Sequence, residues 1–499
     1  MKFDSSSSSP PPFDTLETPT VHRSLIGVEG RTVGRDMNSK PYAPQEARQI
    51  VESLKQPAVF SSMASDWPAL KWNVEYLAGV LRDKPIQFRI GKRLSEKAPQ
   101  FETQCSYIEA TLQEFLFWGQ GLDGAKSGAL SGCLPSEMWA YADYKYIAML
   151  FAEQASLYQD IKWSDFGFPG RDGRASTLWI GTEGANTPCH LDTYGCNLVL
   201  QVQGRKRWLL FPPDDTPYLY PTRIPYEESS VFSKVNVANA DLQRFPAFIN
   251  SRAHVVTLHP GQVLFIPRHW WHYVESIDPF TVSINSWIEM DVDDEVRVEE
   301  AITKTVVCAL KSAPSLDNAD NWLNPTEDEA TSHEENLHYL SLAVQTCLEK
   351  KKHRHQAQAD TASEAGSPGP TKKRKRGCSC YQAERGTADM DGSAHTFGPH
   401  LVLVPQAANL QNVDVASETC NRRSSKCSSP HRQGDGHSCY ELICDRAAES
   451  GKPEPVTSEP GGQTGDTSEV TTNLLLDCLL HPDVISLVTK LLLDKANGQ

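Results

Sequence analysis

Between Ser176 and about Ile288 the chain passes through seven short apolar stretches: STLWIG, CNLVLQVQ, KRWLLF, AHVVTL, QVLFIP, HYVESI and TVSINSWIE. Turns rich in glycine and proline separate them. Runs of this length, rich in β-branched and aromatic residues and bounded by breakers, read as strands. A succession of such strands predicts a closed β-sandwich or jelly roll.

The flanks read differently. Residues 1–40 are rich in serine and proline and are expected to be disordered. Ala47, Ile50, Val51 and Leu54 then fall at helical spacing and open the folded part, followed by a short strand in PAVFSSM and a turn and helix in SDWPALKWNVEYLAGVL. KPIQFRIG and the segment up to Trp118 read as a strand and then a helix. After Met290 two apolar stripes return to helical spacing, one through Val292, Val296, Ile302, Val306, Ala309 and Leu310, the other through Leu337, Leu340, Val344, Cys347 and Leu348. Thr326 with Glu329, or Ser332 with Glu335, offers a capping box for the second. These helices either pack on the barrel or form a dimerisation face. Residues 350–470 are polar and punctuated by Gly, Ser and Pro, which predicts a disordered linker, and residues 471–499 predict an amphipathic helical hairpin that docks back on the domain or on a partner. The expected organisation is thus a domain over residues 41–290, helices over 291–349, a linker and a terminal hairpin.

A net charge of −15 disfavours general nucleic-acid binding. The opening MKFDSSSSSPPP lacks the apolar core of a signal peptide, and no run approaches the roughly twenty apolar residues that span a bilayer. A soluble, cytoplasmic protein is expected, with the run Lys372–Arg376 a candidate signal for nuclear import. The 13 cysteines show no paired C-x-x-C spacing, so they read as reduced thiols; Cys420 to Cys444, with His431 and His437, is a weak zinc candidate.

Within the strand region, PCHLDTYGC places His190 and Asp192 two residues apart. In a strand they share one face while Leu191 takes the other. Two polar groups facing an interior need a cation or a hydrogen-bond network. His272, after the run PGQVLFIPRHWW, can supply a third ligand from a distant strand. Two histidines and one carboxylate are the set that leaves open positions on iron. On H-x-D alone, the alternative of a satisfied histidine beside a turn aspartate is the simpler reading. A second signal is QVQGRKRWLLFPP, which turns at Gly204 and sends Lys206, Trp208 and Leu210 to one face. A lysine on an apolar face needs an anion, which the far carboxylate of an iron-chelating dicarboxylate would supply; Thr187 could add a hydroxyl. A lysine snorkelling at the hairpin edge is the plainer alternative.

These runs carry a resemblance. TPCHLD, GRKRWLLFPP, PGQVLFIPRHWWHYVES and VSINSW resemble the JmjC-domain proteins, in particular the branch that contains the asparaginyl hydroxylase inhibiting hypoxia-inducible factor. YADYKY, WSDFGFPG and HLDTYGCNLV are similar to the subfamily named for association with a small heat-shock protein. The resemblance implies a double-stranded β-helix, a cupin-like jelly roll with helical additions, binding Fe(II) through His190, Asp192 and His272 and chelating 2-oxoglutarate on that metal. It implies that Lys206 and Thr187 hold the far carboxylate, that Tyr146 assists, and that Asn197 and Asn285 line the pocket with Trp287 beside them. It also implies small heat-shock proteins as partners and, through them, a role in the stress response. Relative to the hydroxylase there is one extra residue between His190 and Lys206, which predicts a bulge. Three readings follow: an Fe(II)/2-oxoglutarate dioxygenase, a JmjC scaffold that binds small heat-shock proteins with weak or no turnover, and a cupin holding zinc or manganese.

Overall fold

A computed structural model describes residues 40–93, 97–122, 128–313, 321–327, 329–364, 398–408 and 470–498. The N-terminal segment 1–39, the Lys372–Arg376 run and the Cys420–Cys444 patch lie outside the described residues.

The N-terminal part alternates helix and strand. Helix α1 (Pro44–Ser53) is followed by β1 (Ala58–Phe60), α2 (Val74–Leu81), β2 (Ile86–Lys92), β3 (Ser106–Ala110), α3 (Leu112–Gly119), β4 (Met138–Tyr146) and α4 (Ile147–Leu150). The strand-rich part holds β5 (Thr177–Thr182), β6 (Asn186–Asp192), β7 (Cys196–Gln203), β8 (Lys206–Phe211), β9 (Pro221–Thr222), β10 (Ser230–Ser233), β11 (His254–Leu258), β12 (Val263–Ile266), β13 (Trp271–Ser276) and β14 (Phe280–Ile288). Helices α5 (Asp293–Lys311) and α6 (His333–Glu364), a short β15 (Leu401–Leu403), and the hairpin of α7 (Thr472–Leu479) and α8 (Pro482–Asn497) complete the chain.

The strands form two antiparallel sheets, a large one in the order β15-β1-β12-β7-β14-β5-β4-β2-β3 and a small one in the order β11-β8-β13-β6-β10-β9. Strand alternation sorts each side chain to one of two faces. In β7, Leu198 and Leu200 join the apolar layer beneath the N-terminal helices, while Asn197 and Val199 face the space between the sheets. In β14, Val282, Ile284 and Ile288 take the helix side, and Ser283, Asn285 and Trp287 the inner side. The outer face of the small sheet is covered by Leu219, Val235, Val237, Phe245 and Phe248 from the β8–β11 connection. Both outer faces are therefore sealed by apolar packing. Polar side chains are kept for the space between the sheets.

Two glycines make the turns that deliver this layout. Gly204 (φ 61°) turns β7 into β8, and a Cβ there would meet the Phe280 carbonyl oxygen at 2.3 Å. Gly195 (φ 54°) ends the turn after Asp192, where a Cβ would lie 2.1 Å from the Ile288 carbonyl oxygen. Both demand the left-handed backbone and the missing side chain that only glycine combines. The expected bulge is present in β7: Gln203 pairs with Val282 but Gln201 pairs with Ser283, so Val202 is the extra residue.

Beyond the sandwich, Ser332 is the N-terminal cap of α6, its hydroxyl accepting from the Glu335 amide at 3.2 Å and its amide donating to the Glu335 carboxylate at 2.8 Å. The stripes that suggested a dimerisation face are covered within the chain only in part: Ile302 of α5 and Cys347 of α6 join Val298, Ile485 and Leu493 in one buried cluster, while Val292 and Leu337 stay exposed. The terminal hairpin thus docks back on the domain. The expectation of a disordered stretch over 350–470 is corrected at two places, because α6 continues to Glu364 and residues 401–403 form a strand on β1. Among the described residues no helix is long and apolar enough to cross a membrane.

Candidate metal and cosubstrate site

Strands of both sheets, chiefly β6, β8 and β13 of the small one and β4, β7 and β14 of the large one, surround a cavity of about 620 Å³. His190 on β6 stands directly opposite His272 on β13, and Asp192 closes the group from the end of β6. One ligand atom from each of the three lies within 4.8 Å of the others. Asp192 Oδ1 is 3.7 Å from His190 Nε2 and Oδ2 is 3.9 Å from His272 Nε2.

Backbone carbonyls set the protonation of both rings. His190 Nδ1 lies 2.8 Å from the Pro188 oxygen and His272 Nδ1 2.9 Å from the Trp270 oxygen. A carbonyl oxygen only accepts, so each Nδ1 carries the proton and each Nε2 presents its lone pair. Burial, aided by the neighbouring His272, pushes the His190 pKa down to about 4, so this ring is neutral at pH 7. Asp192 is oriented in turn by the Trp287 indole, which donates to Oδ2 at 3.0 Å. Outer hydrogen bonds of this kind fix ligand orientation and raise metal affinity. Asp192 also lies next to the turn whose Gly195 amide donates to Asp293 Oδ1 at 3.1 Å, which ties the first turn of α5 to the ligand strand.

Deeper in the cavity Lys206 is 2 % exposed. Its ammonium donates to Ser283 Oγ at 2.8 Å and Tyr141 Oη at 3.2 Å, and Tyr141 is hydrogen-bonded to Thr187. These are hydroxyl partners, and burial pushes the lysine down to about 7. A buried cation ringed by neutral oxygens, in a cavity that also holds two imidazoles and a carboxylate, fits an incoming carboxylate. The Trp208 indole N–H, buried beside it in the cavity wall, has no protein acceptor. Asn197 and Asn285 sit between this pocket and Trp179: Asn285 Nδ2 donates to Asn197 Oδ1 at 3.0 Å, and the Trp179 indole donates to Asn285 Oδ1 at 2.8 Å.

Tyr146 is not at the lysine. It is 52 % exposed at the cavity rim, and Tyr141 is the tyrosine that touches Lys206. Alternation from Tyr141 would itself send Tyr146 to the other face, and β4 also breaks between them: pairing with β5 shifts between Ala142 and Lys145, and Tyr144 adopts φ 50°. Alternation counted through YADYKY therefore fails past Asp143. Tyr141 and Ser283 were missed by sequence reasoning; counting inward from Asn285 in β14 by twos would have found Ser283.

Tyr141 rests on a buried ion pair. Arg89 donates to Asp143 at 2.6 Å and to the Asn186 carbonyl at 2.8 Å, and its guanidinium lies over the Trp139 and Tyr141 rings. Both charges are buried. Arg89→Leu strands the Asp143 carboxylate, and a loss of about 3–5 kcal/mol in unfolding free energy is expected by denaturant titration. Beside the cavity, Asn324 Nδ2 donates to Glu227 at 2.8 Å and Glu102 at 3.1 Å, and the following Pro325, Thr326 and Glu327 line its edge. Burial pushes Glu102 up to about 7 and Glu227 well above the usual carboxyl range, with Glu102 adding like-charge repulsion on Glu227.

Residues 44–294 match the family model described as a cupin-like domain. The chain belongs to the cupin-like, JmjC-type family. It is 53 % identical over 462 residues to HSPB1-associated protein 1 homolog of Danio rerio, covering 92 % of this chain and 98 % of that one. It is 48 % identical over 483 residues to human HSPB1-associated protein 1, covering 94 % and 95 % of the two chains. A more distant likeness, 27 % over 241 residues, is to lysine-specific demethylase 8 of Danio rerio, covering 47 % of this chain and 53 % of that one. The cupin-like match ends two residues into α5, whereas the matches to these two HSPB1-associated relatives cover 92 % and 94 % of the chain.

Proposed function

We propose that the chain is an Fe(II)/2-oxoglutarate-dependent oxygenase of the protein-hydroxylase type, with His190, Asp192 and His272 as its metal ligands. The observation that carries this reading is the pair of Nδ1–H groups donating to carbonyls, which leaves two Nε2 lone pairs converging with one carboxylate. Such a triad leaves open positions on a metal. Iron held there with 2-oxoglutarate would supply oxidative C–H chemistry coupled to decarboxylation of the cosubstrate.

The protein's own groups have separable tasks. Lys206, with Tyr141, Ser283 and Thr187, would bind the far carboxylate of 2-oxoglutarate and set how deeply it enters. Trp287 holds Asp192 in register. The apolar residues Val199, Trp208 and Val274 exclude water from the inner wall. Asn197 and Asn285 offer amide groups to whatever occupies the space between metal and wall. The rim, with Tyr146, Tyr194 and Glu228, is where a protein side chain would enter. Metal content and 2-oxoglutarate affinity of protein purified without oxygen test the reading. Stoichiometric iron with saturable cosubstrate binding supports it; zinc retained without cosubstrate binding supports a non-oxidative cupin instead.

A second activity is proposed from the relatives, which are named for association with HSPB1, a small heat-shock protein. The match extends well beyond the cupin-like domain, over 92 % and 94 % of the chain, and we propose that this chain also associates with small heat-shock proteins and acts in the stress response through them. The association is expected to use the scaffold and not the metal. Capture of a small heat-shock protein by Asp192→Ala should equal that by the unmodified chain; loss of capture with the metal ligand would reverse that assignment.

A further inference from the structure

The segment His400–Ala407 lies across the end strands of both sheets. β15 runs antiparallel to β1, with Leu401 opposite Phe60 and Leu403 opposite Ala58. The Ser61 amide donates to the His400 carbonyl at 2.8 Å and the Val404 amide to the Pro57 carbonyl at 2.8 Å. The same segment then crosses to the small sheet. Gln406 bridges His254 of β11, the Ala407 amide donates to the Ala253 carbonyl at 2.8 Å, and the Val255 amide donates to the Pro405 carbonyl at 3.2 Å. Gln56 Nε2 and His254 Nδ1 both grip the Val404 carbonyl, at 2.8 and 2.9 Å.

Two side chains anchor this segment. Leu401 enters the apolar layer under the N-terminal helices. Val404, 1 % exposed, enters the cluster that contains Val199, Trp208 and Val274, three residues of the cavity wall. Val402 and Leu403 between them are exposed. Main-chain hydrogen bonds on an edge strand, with pockets for selected side chains, are how domains recognise extended peptides. The segment is separated in sequence from α6 and α7 by residues 365–397 and 409–469, and these main-chain and side-chain contacts hold it to both sheets.

We propose that the groove between β1 and β11 is a peptide-docking site filled in cis by His400–Ala407, and that a partner protein enters it with an extended segment of the same chemistry. That chemistry is a large aliphatic residue, two spacers, a β-branched aliphatic and then proline, as in Leu401-Val402-Leu403-Val404-Pro405. The main-chain bonds are available to any extended strand, and the two anchor pockets supply the selection. Because Val404 backs the wall that carries Trp208, exchange at the groove also touches the support of the inner cavity.

The test uses the full chain with Leu401 and Val404 both replaced by serine, and a labelled peptide of residues 398–408. The peptide is expected to bind this variant at least tenfold more tightly than it binds the unmodified chain, and a peptide carrying the same two serines should not bind. Should the variant lose its thermal unfolding transition, hydrogen exchange on the unmodified chain decides. Excess peptide should then speed exchange of the Val404 and Ala407 amides at least tenfold while the Ser61 and Val255 amides stay protected. Absence of binding to a folded variant, or unchanged exchange under excess peptide, overturns the proposal. A concentration-dependent dimer of the unmodified chain that peptide dissolves would also overturn it, by assigning the groove to a second copy.

Discussion

Asp192→Ala is expected to leave a folded protein that retains less than about a tenth of the metal bound by the unmodified chain. Asp192 is the single anionic member of the triad, and its carboxylate oxygens face both Nε2 atoms at 3.7 and 3.9 Å. Without it the site keeps two neutral ligands and loses both the third ligand and the triad's only negative charge, which offsets the cation. Folding should survive because the side chain is only partly buried and its removal leaves no unpaired charge inside. A milder change grades the effect: Trp287→Phe removes the indole donor from Oδ2, and metal affinity should fall about 10- to 100-fold. Metal analysis after dialysis, beside circular dichroism, reads both. Full metal retention in Asp192→Ala would show that the ion sits elsewhere.

Lys206→Met should weaken 2-oxoglutarate binding about 100-fold while leaving metal content unchanged. A charge-assisted contact in a water-poor pocket contributes about 1.5–3 kcal/mol, and its removal also leaves a buried carboxylate without a counter-ion. The pH dependence carries a sign that separates this role from a packing role. Burial holds the lysine at about 7 in the free protein. Below that value the ammonium is charged and ready for the carboxylate; above it a proton must be taken up on binding. Apparent affinity should therefore fall about tenfold for each pH unit from 7 toward the ordinary lysine value of 10.5. In Lys206→Met the profile should be flat over that range. Isothermal titration with a redox-inert metal in the site reads the affinity at each pH. An affinity independent of pH in the unmodified chain would place the counter-ion on another group.

Much of this site was legible because strand alternation is a strict rule. Once His190, Asp192 and Leu191 are set in a strand, the first two share a face, and the structure finds Leu191 packed with Leu209 and Phe211 on the other. Lys206 was legible for the same reason, counted from the Gly204 turn. Where a residue was placed by motif resemblance instead of by alternation, the reading failed: Tyr146 was expected at the lysine, but alternation puts Tyr141 and Tyr146 on opposite faces of an unbroken strand, and it is Tyr141 that touches Lys206. Nothing in YADYKY signals the left-handed Tyr144 that breaks β4. The short β10, which pairs with the ligand strand through Ser230 and Asp192, was missed because SVFS is too brief to stand out. The strand at Leu401–Leu403 was missed for a different reason. It is an apolar run of a few residues in a polar stretch, and what makes it a strand is the edge of β1, more than three hundred residues earlier. Likewise the apolar stripes after Met290 were visible, but their partner, the face of α8 with Ile485 and Leu493, is a tertiary fact.

The measurement that bears most directly on the oxygenase reading is succinate formation from 2-oxoglutarate by the Fe(II)-loaded, anaerobically purified chain after oxygen is admitted, beside His272→Ala. The expected result is slow turnover without added primary substrate in the unmodified chain, reduced to background in the variant. Tight binding of metal and 2-oxoglutarate with no succinate from either protein would contradict it, and would assign the cavity a binding role on an oxygenase scaffold.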